Sequence, residues 1–506
     1  MTGGAAGRTG PHRPPSKRNC ERSLARLPWR GLLFPTADYA LFFLAAFAVA
    51  WGLRSRLGAH KLFLLGASYA FYAHWDWRFL PLLLGVSLVA FGVAWALQRA
   101  ASPGARKALL STGIVVSLGT LAVFKYATFA VTSLVNVLAA AGVSWTPSRL
   151  PEYALPVGVS FFVFHGVSLM MDVHRGKVTV PVRALDALLY VAFFPQLVAG
   201  PILRASSFLP QLARPPEPVH LEVSRAVELV VLGLAKKVLV ANYLATRLVD
   251  PIFEAPLGHS GLEVLLGIYG YAAQIYCDFS GYTDVAIGSA LLLGYRFPEN
   301  FDAPYTATSL QDFWRRWHIS LSSWLRDYLF IPLGGSRGGR ARTLANLAVT
   351  MVLGGLWHGA AWTFVIWGAL HGAGLAVHRL WSGSASPAIQ RLRAAPGWRL
   401  PAQLLTFHFV CLGWVFFRAT SLAHGLDVLA ALAHPWSVGT WLTPALLLAL
   451  AVGLLGQAVP GTVRGAARAV LERLPVAVQG VAFALAVLVI EVLGPSGVAP
   501  FIYFQF

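Results

Sequence analysis

Charged residues are scarce in this chain. Of its 506 residues only 12% are Asp, Glu, Lys or Arg, whereas 57% are hydrophobic. Soluble domains carry about 25% charged residues. The composition therefore excludes an ordinary soluble domain and predicts a polytopic membrane protein.

Acidic residues are scarcer than basic residues. The chain has 21 Asp and Glu against 40 Lys and Arg, which gives a net charge of +19. In a soluble protein this excess would suggest nucleic-acid binding. Here the basic residues lie mainly in the N-terminal tail and between apolar runs, where they orient helices and contact anionic lipid. We therefore expect membrane lipids, and no nucleic acid, as partners.

Several signatures of common enzyme classes are missing. The three cysteines, Cys20, Cys277 and Cys411, are scattered, so no disulfide framework or zinc spacing exists. There is no Walker motif, dinucleotide fingerprint or Gly-x-Ser-x-Gly elbow, which leaves ATP-driven and serine-hydrolase functions without support. On a continuous helix His371 would lie on the side opposite His358, so no metal site is predicted.

The N-terminal tail also lacks the apolar core and small-residue cleavage site of a signal peptide. Residues 1–31 are rich in Gly, Pro, Arg and Lys. We interpret them as a disordered basic tail, with a mis-assigned start codon as the alternative. Residues 32–506 then form one membrane domain.

Apolar runs recur from residue 39 almost to the end of the chain. Their lengths predict an all-α fold with about 10 to 12 transmembrane helices, together with shorter re-entrant or interfacial segments. The run Leu344–Leu380 is too long for one span, so it must break near Gly354, Gly355 or Gly359. His358 lies at this break, and irregular backbone at membrane depth needs cover from protein or a water-filled cavity.

His358 is the strongest candidate for chemistry because ionisable side chains inside a membrane are rare and tend to be functional. A free imidazole has a pKa of about 6.5, so it can take a proton from a hydroxyl at neutral pH. Trp357 and Trp362 would wall such a site. The alternative is a histidine that only hydrogen-bonds between helices.

A second histidine, His318, lies in the segment Ser309–Leu333. Apolar residues at helical spacing predict one amphipathic interfacial helix there, with Trp314 one turn before His318 and Arg315 on the opposite face. His318 then points into protein or lipid. A core histidine satisfied by a backbone carbonyl is the alternative.

Two aspartates lie beside apolar runs. Asp278 and Asp284 could pair with Arg315 or Arg316, or position a polar substrate, and a structural ion pair is the favoured interpretation. Lys236–Lys237 are interpreted as bases that snorkel to one face of the membrane.

Several long motifs occur in an order that resembles the membrane-bound O-acyltransferase family, especially its alginate O-acetyltransferase branch. The likeness runs from about Phe34 to the terminal PFIYFQF. Its most specific parts are PVGVSFFVFHGVSLMMDVHRG (Pro156–Gly176), FFPQLVAGPILR (Phe193–Arg204), QIYCDFSGYTDVAIG (Gln274–Gly288), GYRFPENFDAPY (Gly294–Tyr305), DFWRRWHISLSSWLRDYLFIPLGG (Asp312–Gly335) and GGLWHGAAWTFVIWGALHG (Gly354–Gly372).

The resemblance implies a ring of tilted helices around a funnel. It identifies His358, in Trp-His-Gly, with the family's catalytic histidine, and His318, in Arg-Trp-His, with the second one. We expect His358 to act as general base and His318 to orient the reactants or stabilise the oxyanion. The predicted substrate contacts are Trp357, Trp314, Arg315 and Asp278.

The resemblance also implies the reactants. The donor would be acetyl-CoA or a carrier-protein thioester, with no bound cofactor. The acceptor would be a hydroxyl of an extracytoplasmic polysaccharide or of a partner transferase, at the inner or plasma membrane. The residues name no particular polymer. Two other functions stay open: a proton-coupled transporter or flippase, although we find no inverted repeat, and a non-catalytic scaffold of an acetylation complex.

Overall fold

The computed structural model describes residues 34–145, 147, 154–198, 200–218, 221–437, 439, 442–495 and 501–502. The predicted basic tail, residues 1–31, lies outside these ranges, as does Cys20. Throughout the described ranges the regular structure is helical and there is no β-strand. The all-α prediction is therefore confirmed.

The α-helices of the described residues are numbered here in chain order. They are α1 Ala37–Gly52, α2 Leu57–Asp76, α3 Leu80–Arg99, α4 Pro103–Leu121, α5 Ala127–Ala140, α6 Val159–His174, α7 Ala184–Ala192, α8 Phe194–Leu197, α9 Ala205–Leu212, α10 Val223–Ala235, α11 Asn242–Leu244, α12 Asp250–Glu254, α13 Gly261–Leu292, α14 Leu310–Arg316, α15 Ile319–Leu325, α16 Gly339–His358, α17 Trp362–Ser382, α18 Pro387–Ala394, α19 Arg399–Arg418, α20 Leu422–Ala431, α21 Pro444–Leu455, α22 Gly461–Glu472 and α23 Val476–Leu493.

Four π-helical turns interrupt this series. Two of them join α10, α11 and α12 into one rod, a third follows α15, and the fourth, Ala122–Tyr126, joins α4 to α5. Such wide turns are rare and often mark functional positions.

Five helical segments of the described chain are long and apolar enough to cross a membrane. They are Leu57–Arg99, Pro103–Ala140, Val223–Glu254, Pro396–Arg418 and Val476–Leu493, and α21 with α22 makes a sixth if that pair, bent by 96°, is one span. The polytopic prediction is confirmed. This number is below the predicted 10 to 12, partly because Leu57–Arg99 contains two 20-residue helices, which the 3-10 turn Trp77–Phe79 separates.

The 32-residue helix α13 lies at the centre and is buried along most of its length. It begins at a capping box between Ser260 and Glu263. Helix α10 packs closely on it where Gly233 meets Gly281: a Cβ on Gly281 would lie 2.7 Å from the carbonyl oxygen of Gly233. This close packing is typical of helices that associate through small residues.

The break predicted in Leu344–Leu380 is confirmed. Helix α16 ends at His358, and α17 begins at Trp362 after an extended link. The two form a hairpin, and a Cβ on Gly368 would lie 2.4 Å from the carbonyl oxygen of Met351. Only glycine permits this approach, so the glycine-rich sequence both breaks the run and packs its two halves together.

The prediction of one continuous helix over Ser309–Leu333 is wrong. The segment contains α14 and α15, and His318 lies between them in the left-handed region, with φ 42° and ψ 56°. A non-glycine residue there costs about 1–2 kcal/mol. The side chain of Asn300, which belongs to another segment, hydrogen-bonds to His318 and Ser320 at this break and so offsets the strain.

The predicted arginine partners of the two aspartates are also wrong. Asp278 pairs with Lys237, and Asp284 pairs with Lys236. The lysines belong to the π-helical turn after α10, which packs against α13. Lys237 is buried, so it does not snorkel to the surface.

Candidate active site

His358 lies at the tip of the hairpin between α16 and α17. Its side chain is only 5% exposed, yet it lines a cavity of about 400 Å³. Trp357 lines the same cavity, as do residues at the end of α2 and the start of α6. The structure therefore places the predicted base where a substrate entering this cavity could reach it.

Aromatic rings enclose the imidazole of His358. The ring centroids of Trp357, Trp367 and Phe417 lie 4.9, 5.0 and 5.1 Å from that of His358. The ring of Trp357 also lies 6.0 Å from that of His318. The two predicted histidines thus share one indole as a neighbour. Exclusion of bulk water by such walls protects a reactive acyl group from hydrolysis.

His318 is fully buried, and Asn300 holds it. The Nδ1 of His318 lies 3.1 Å from Oδ1 of Asn300, which also accepts hydrogen bonds from the backbone N–H and hydroxyl of Ser320. A backbone N–H can only donate, so the atom facing His318 is an acceptor and Nδ1 carries the proton. Nε2 finds no hydrogen-bond partner among the described residues, and in the neutral ring it offers a lone pair.

Trp314 contacts a third histidine near the site, His371. Its indole N–H donates to Nδ1 of His371 at 3.3 Å, and the ring of His371 lies 4.8 Å from that of Trp367. The expectation that His371 lies opposite His358 is wrong, because it assumed a continuous helix. After the turn, α17 runs back along α16, and the rings of His371 and His358 both contact Trp367.

A second, larger cavity of about 1010 Å³ lies at the other end of α17. Arg316, Arg393, Arg399 and His378 line it beside aromatic and aliphatic side chains. Phe409 of its wall has its ring 5.8 Å from that of His371. The smaller cavity thus reaches His358 directly. The larger cavity ends near the aromatic rings that pack behind His358.

The sequence model of the membrane-bound O-acyltransferase family matches residues 123–424. The chain belongs to this family. It is 41% identical over 403 residues to a probable alginate O-acetylase of Pseudomonas aeruginosa, which covers 78% of this chain and 74% of the relative. It is 35% identical over 396 residues to a peptidoglycan O-acetyltransferase of Helicobacter pylori, covering 73% of each chain.

A teichoic acid D-alanyltransferase of Bacillus subtilis is a further relative, with 30% identity over 285 residues, 53% of this chain and 70% of the relative. The resemblance inferred from the motifs is therefore confirmed. As a member of the membrane-bound O-acyltransferase family, the chain is an O-acyltransferase and a multi-pass membrane protein.

Three of the four predicted substrate contacts of this acyltransferase, Trp314, Arg315 and Asp278, line neither of these two cavities. Arg315 is exposed, and its neighbour Arg316 lines the larger cavity instead. Asp278 is buried in its pair with Lys237 and accepts a hydrogen bond from the backbone N–H of Ile502 at 2.8 Å. In this structure Asp278 ties the C-terminal segment to α13.

Sequence reasoning missed Lys125 and Tyr126. Lys125 lines the cavity of His358 and donates hydrogen bonds to the carbonyl oxygens of Trp357 and His358. The hydroxyl of Tyr126 donates to the carbonyl oxygen of Leu356 at 2.7 Å. The sequence did contain a signal for Lys125, because this lysine separates two apolar runs. The structure joins these runs into one 38-residue helical segment, Pro103–Ala140.

Proposed function

We propose that this acyltransferase moves an acetyl group from a cytoplasmic thioester to a hydroxyl of an extracytoplasmic polysaccharide, or first to a partner transferase. The observation that carries the proposal is the position of His358 on the wall of the smaller cavity, with the larger, arginine-lined cavity at the other end of α17. The acetyl group is favoured over D-alanine because the two relatives that cover most of the chain are named as O-acetyl-transferring proteins.

The larger cavity suits the donor. Its arginines Arg393 and Arg399 can bind phosphate groups of acetyl-CoA or of a carrier protein's prosthetic arm, and its apolar wall can hold the rest of the arm. Arg316 on the same lining is paired with Asp312 at 2.8 Å. His378 on the lining of this cavity lies 16 residues beyond Trp362. At 1.5 Å per residue, this places it about 24 Å along α17 from the end of the helix beside His358. Arg337 lies in the connection after α15, and Arg340 and Arg342 lie in the first turn of α16. Basic connectors favour the cytoplasmic face, here of the inner or plasma membrane.

The smaller cavity suits the acceptor. It reaches His358 from the end of α2, where Trp75, Asp76 and Arg78 lie on its lining. An aromatic ring with neighbouring charged groups is a suitable surface for a sugar or for another hydroxyl-bearing group. We therefore assign the acceptor hydroxyl to this side of His358.

The chemistry then follows from the two imidazoles. His358 removes the proton of the acceptor hydroxyl while the hydroxyl oxygen attacks the thioester carbonyl carbon. When the carbon–sulfur bond breaks, the thiolate leaves and takes that proton from His358. General base catalysis of this kind contributes about 10²–10⁴-fold.

His318 orients the reactants in this scheme. Asn300 fixes the proton on Nδ1, so Nε2 offers a lone pair to a donor group of the bound reactants other than the acceptor hydroxyl, whose single proton goes to His358. His318 could donate to an oxyanion only after gaining a second proton. The orienting role is thus the simpler of the two predicted for it.

Reconstituted liposomes test the proposal. Acetyl-CoA labelled on the acetyl group is supplied on one side and a polysaccharide such as alginate or peptidoglycan fragments on the other. Covalent label on the polysaccharide or on an added partner transferase supports the proposal. Uptake of an unmodified solute without any acetylated product would instead indicate a transporter, and equal acetylation in liposomes lacking the protein would indicate a scaffold.

A further inference from the structure

The last turn of α16 ends inside the protein, at the histidine that we assign as general base. The final four carbonyl groups of a helix have no partner within the helix. Inside a membrane protein each unsatisfied carbonyl costs several kcal/mol. Three of these four, those of Leu356, Trp357 and His358, accept hydrogen bonds from one neighbouring turn that contains Lys125 and Tyr126.

Lys125 uses all of its donors within the protein. An ammonium group has three N–H bonds. Two point to the carbonyl oxygens of Trp357 and His358, the latter at 3.1 Å, and the hydroxyl of Ser160 lies 3.4 Å from Nζ as the third acceptor. Nothing remains for a substrate, so the side chain holds the backbone beside the cavity.

The position of this lysine is unusual for a residue that only stabilises the fold. It lies within the apolar segment Pro103–Ala140, in the π-helical turn Ala122–Tyr126. Ionisable side chains at such positions are costly and are retained mainly at functional sites. A positive charge at the C-terminal end of α16 also interacts favourably with the helix dipole.

We propose that Lys125, supported by Tyr126, is a positioning residue for His358. Helix ends fray, and His358 is the last residue of α16. A misplacement of about 1 Å can cost about a hundredfold in rate. The hydrogen bonds from Lys125 and Tyr126 fix the end of α16 and so fix the imidazole of His358 beside the acceptor cavity. This inference rests on the proposed function of His358.

The substitution Lys125→Met tests the proposal because it keeps the length of the side chain and removes its donors and charge. Purified variant and wild type are compared for acetyl transfer. We expect kcat to fall about a hundredfold while the KM for the donor stays within about twofold, since Lys125 touches no donor. Lys125→Arg, which restores charge and donors, should recover about tenfold or more of this loss.

Tyr126→Phe provides a milder test with a matched control. Tyr190→Phe removes the same kind of bond, from a buried hydroxyl to the carbonyl oxygen of Leu203 at 2.8 Å, away from both cavities. We expect Tyr126→Phe to lower kcat about threefold to tenfold and Tyr190→Phe to leave it unchanged, with similar losses of thermal stability. This pair carries the test if Lys125→Met does not fold.

Three results would overturn the inference. They are a kcat of Lys125→Met close to that of wild type, a raised donor KM with unchanged kcat, and equal losses of kcat in Tyr126→Phe and Tyr190→Phe. The proposed function fails separately, because it requires wild-type protein to transfer acetyl groups and His358→Ala to lose that transfer, whatever Lys125→Met does.

Discussion

Asn300 and His318 are joined by a hydrogen bond of 3.1 Å that decides where the proton of the imidazole lies. The same amide oxygen also binds the backbone N–H of Ser320 at 3.1 Å. One side chain therefore holds both the tautomer of His318 and the left-handed backbone at that residue. This double constraint gives the first prediction.

Asn300→Ala should lower kcat about a hundredfold, because the imidazole loses its orientation and the break between α14 and α15 loses its support. The measurement is acetyl transfer by the purified variant. Gln98→Ala is the matched control, since the amide of Gln98 also bridges two backbone groups, those of Val180 and Val182, but at the surface. Normal turnover of the Asn300 variant would contradict the role of this amide.

Gly368→Ala should damage the hairpin that carries His358. The added Cβ would lie 2.4 Å from the carbonyl oxygen of Met351, and backbone cannot move aside cheaply. We expect a loss of stability of about 1–3 kcal/mol and a loss of activity. Gly66→Ala is the control, because nothing lies within 4 Å of its Cβ position in α2. Equal melting temperatures of the two variants in detergent would refute the close packing.

Arg399→Gln should raise the KM for acetyl-CoA about tenfold and leave kcat nearly unchanged, because a charge-assisted hydrogen bond to phosphate is lost. Steady-state kinetics with varied donor concentration measures the effect. Arg391→Gln serves as the control, since Arg391 is exposed on α18 and does not line the larger cavity. An unchanged donor KM for Arg399→Gln would move the donor site away from this cavity.

The sequence alone predicted the break beside His358. The run Leu344–Leu380 exceeds one span, and its glycines mark the place where a chain can turn. Both signals are local, so no knowledge of other segments was needed. The same holds for the membrane class, which follows from the scarcity of charge.

The break at His318 could not be predicted from local pattern. Apolar residues continue at helical spacing through Trp317 and His318, and the side chain that holds the break, Asn300, belongs to another segment. The pairs Asp278–Lys237 and Asp284–Lys236 depend in the same way on how α10 packs against α13. Periodicity carries no information about such distant partners.

Lys125 was missed for a different reason. Its charge separated two apolar runs, so it looked like a connector between helices. In the structure the π-helical turn continues the helix through it, and the lysine lies inside the segment. An ionisable residue between two short apolar runs is therefore also compatible with one long helix that carries a buried functional group.

Transfer of labelled acetyl from acetyl-CoA to polysaccharide in liposomes, compared between wild type, His358→Ala and His408→Ala, tests the central claim most directly. His408 is exposed on α19 and bonds Tyr269, so its loss controls for removal of a histidine. We predict that His358→Ala folds normally but loses transfer by about a hundredfold or more, whereas His408→Ala keeps it. Undiminished transfer by folded His358→Ala would contradict the account.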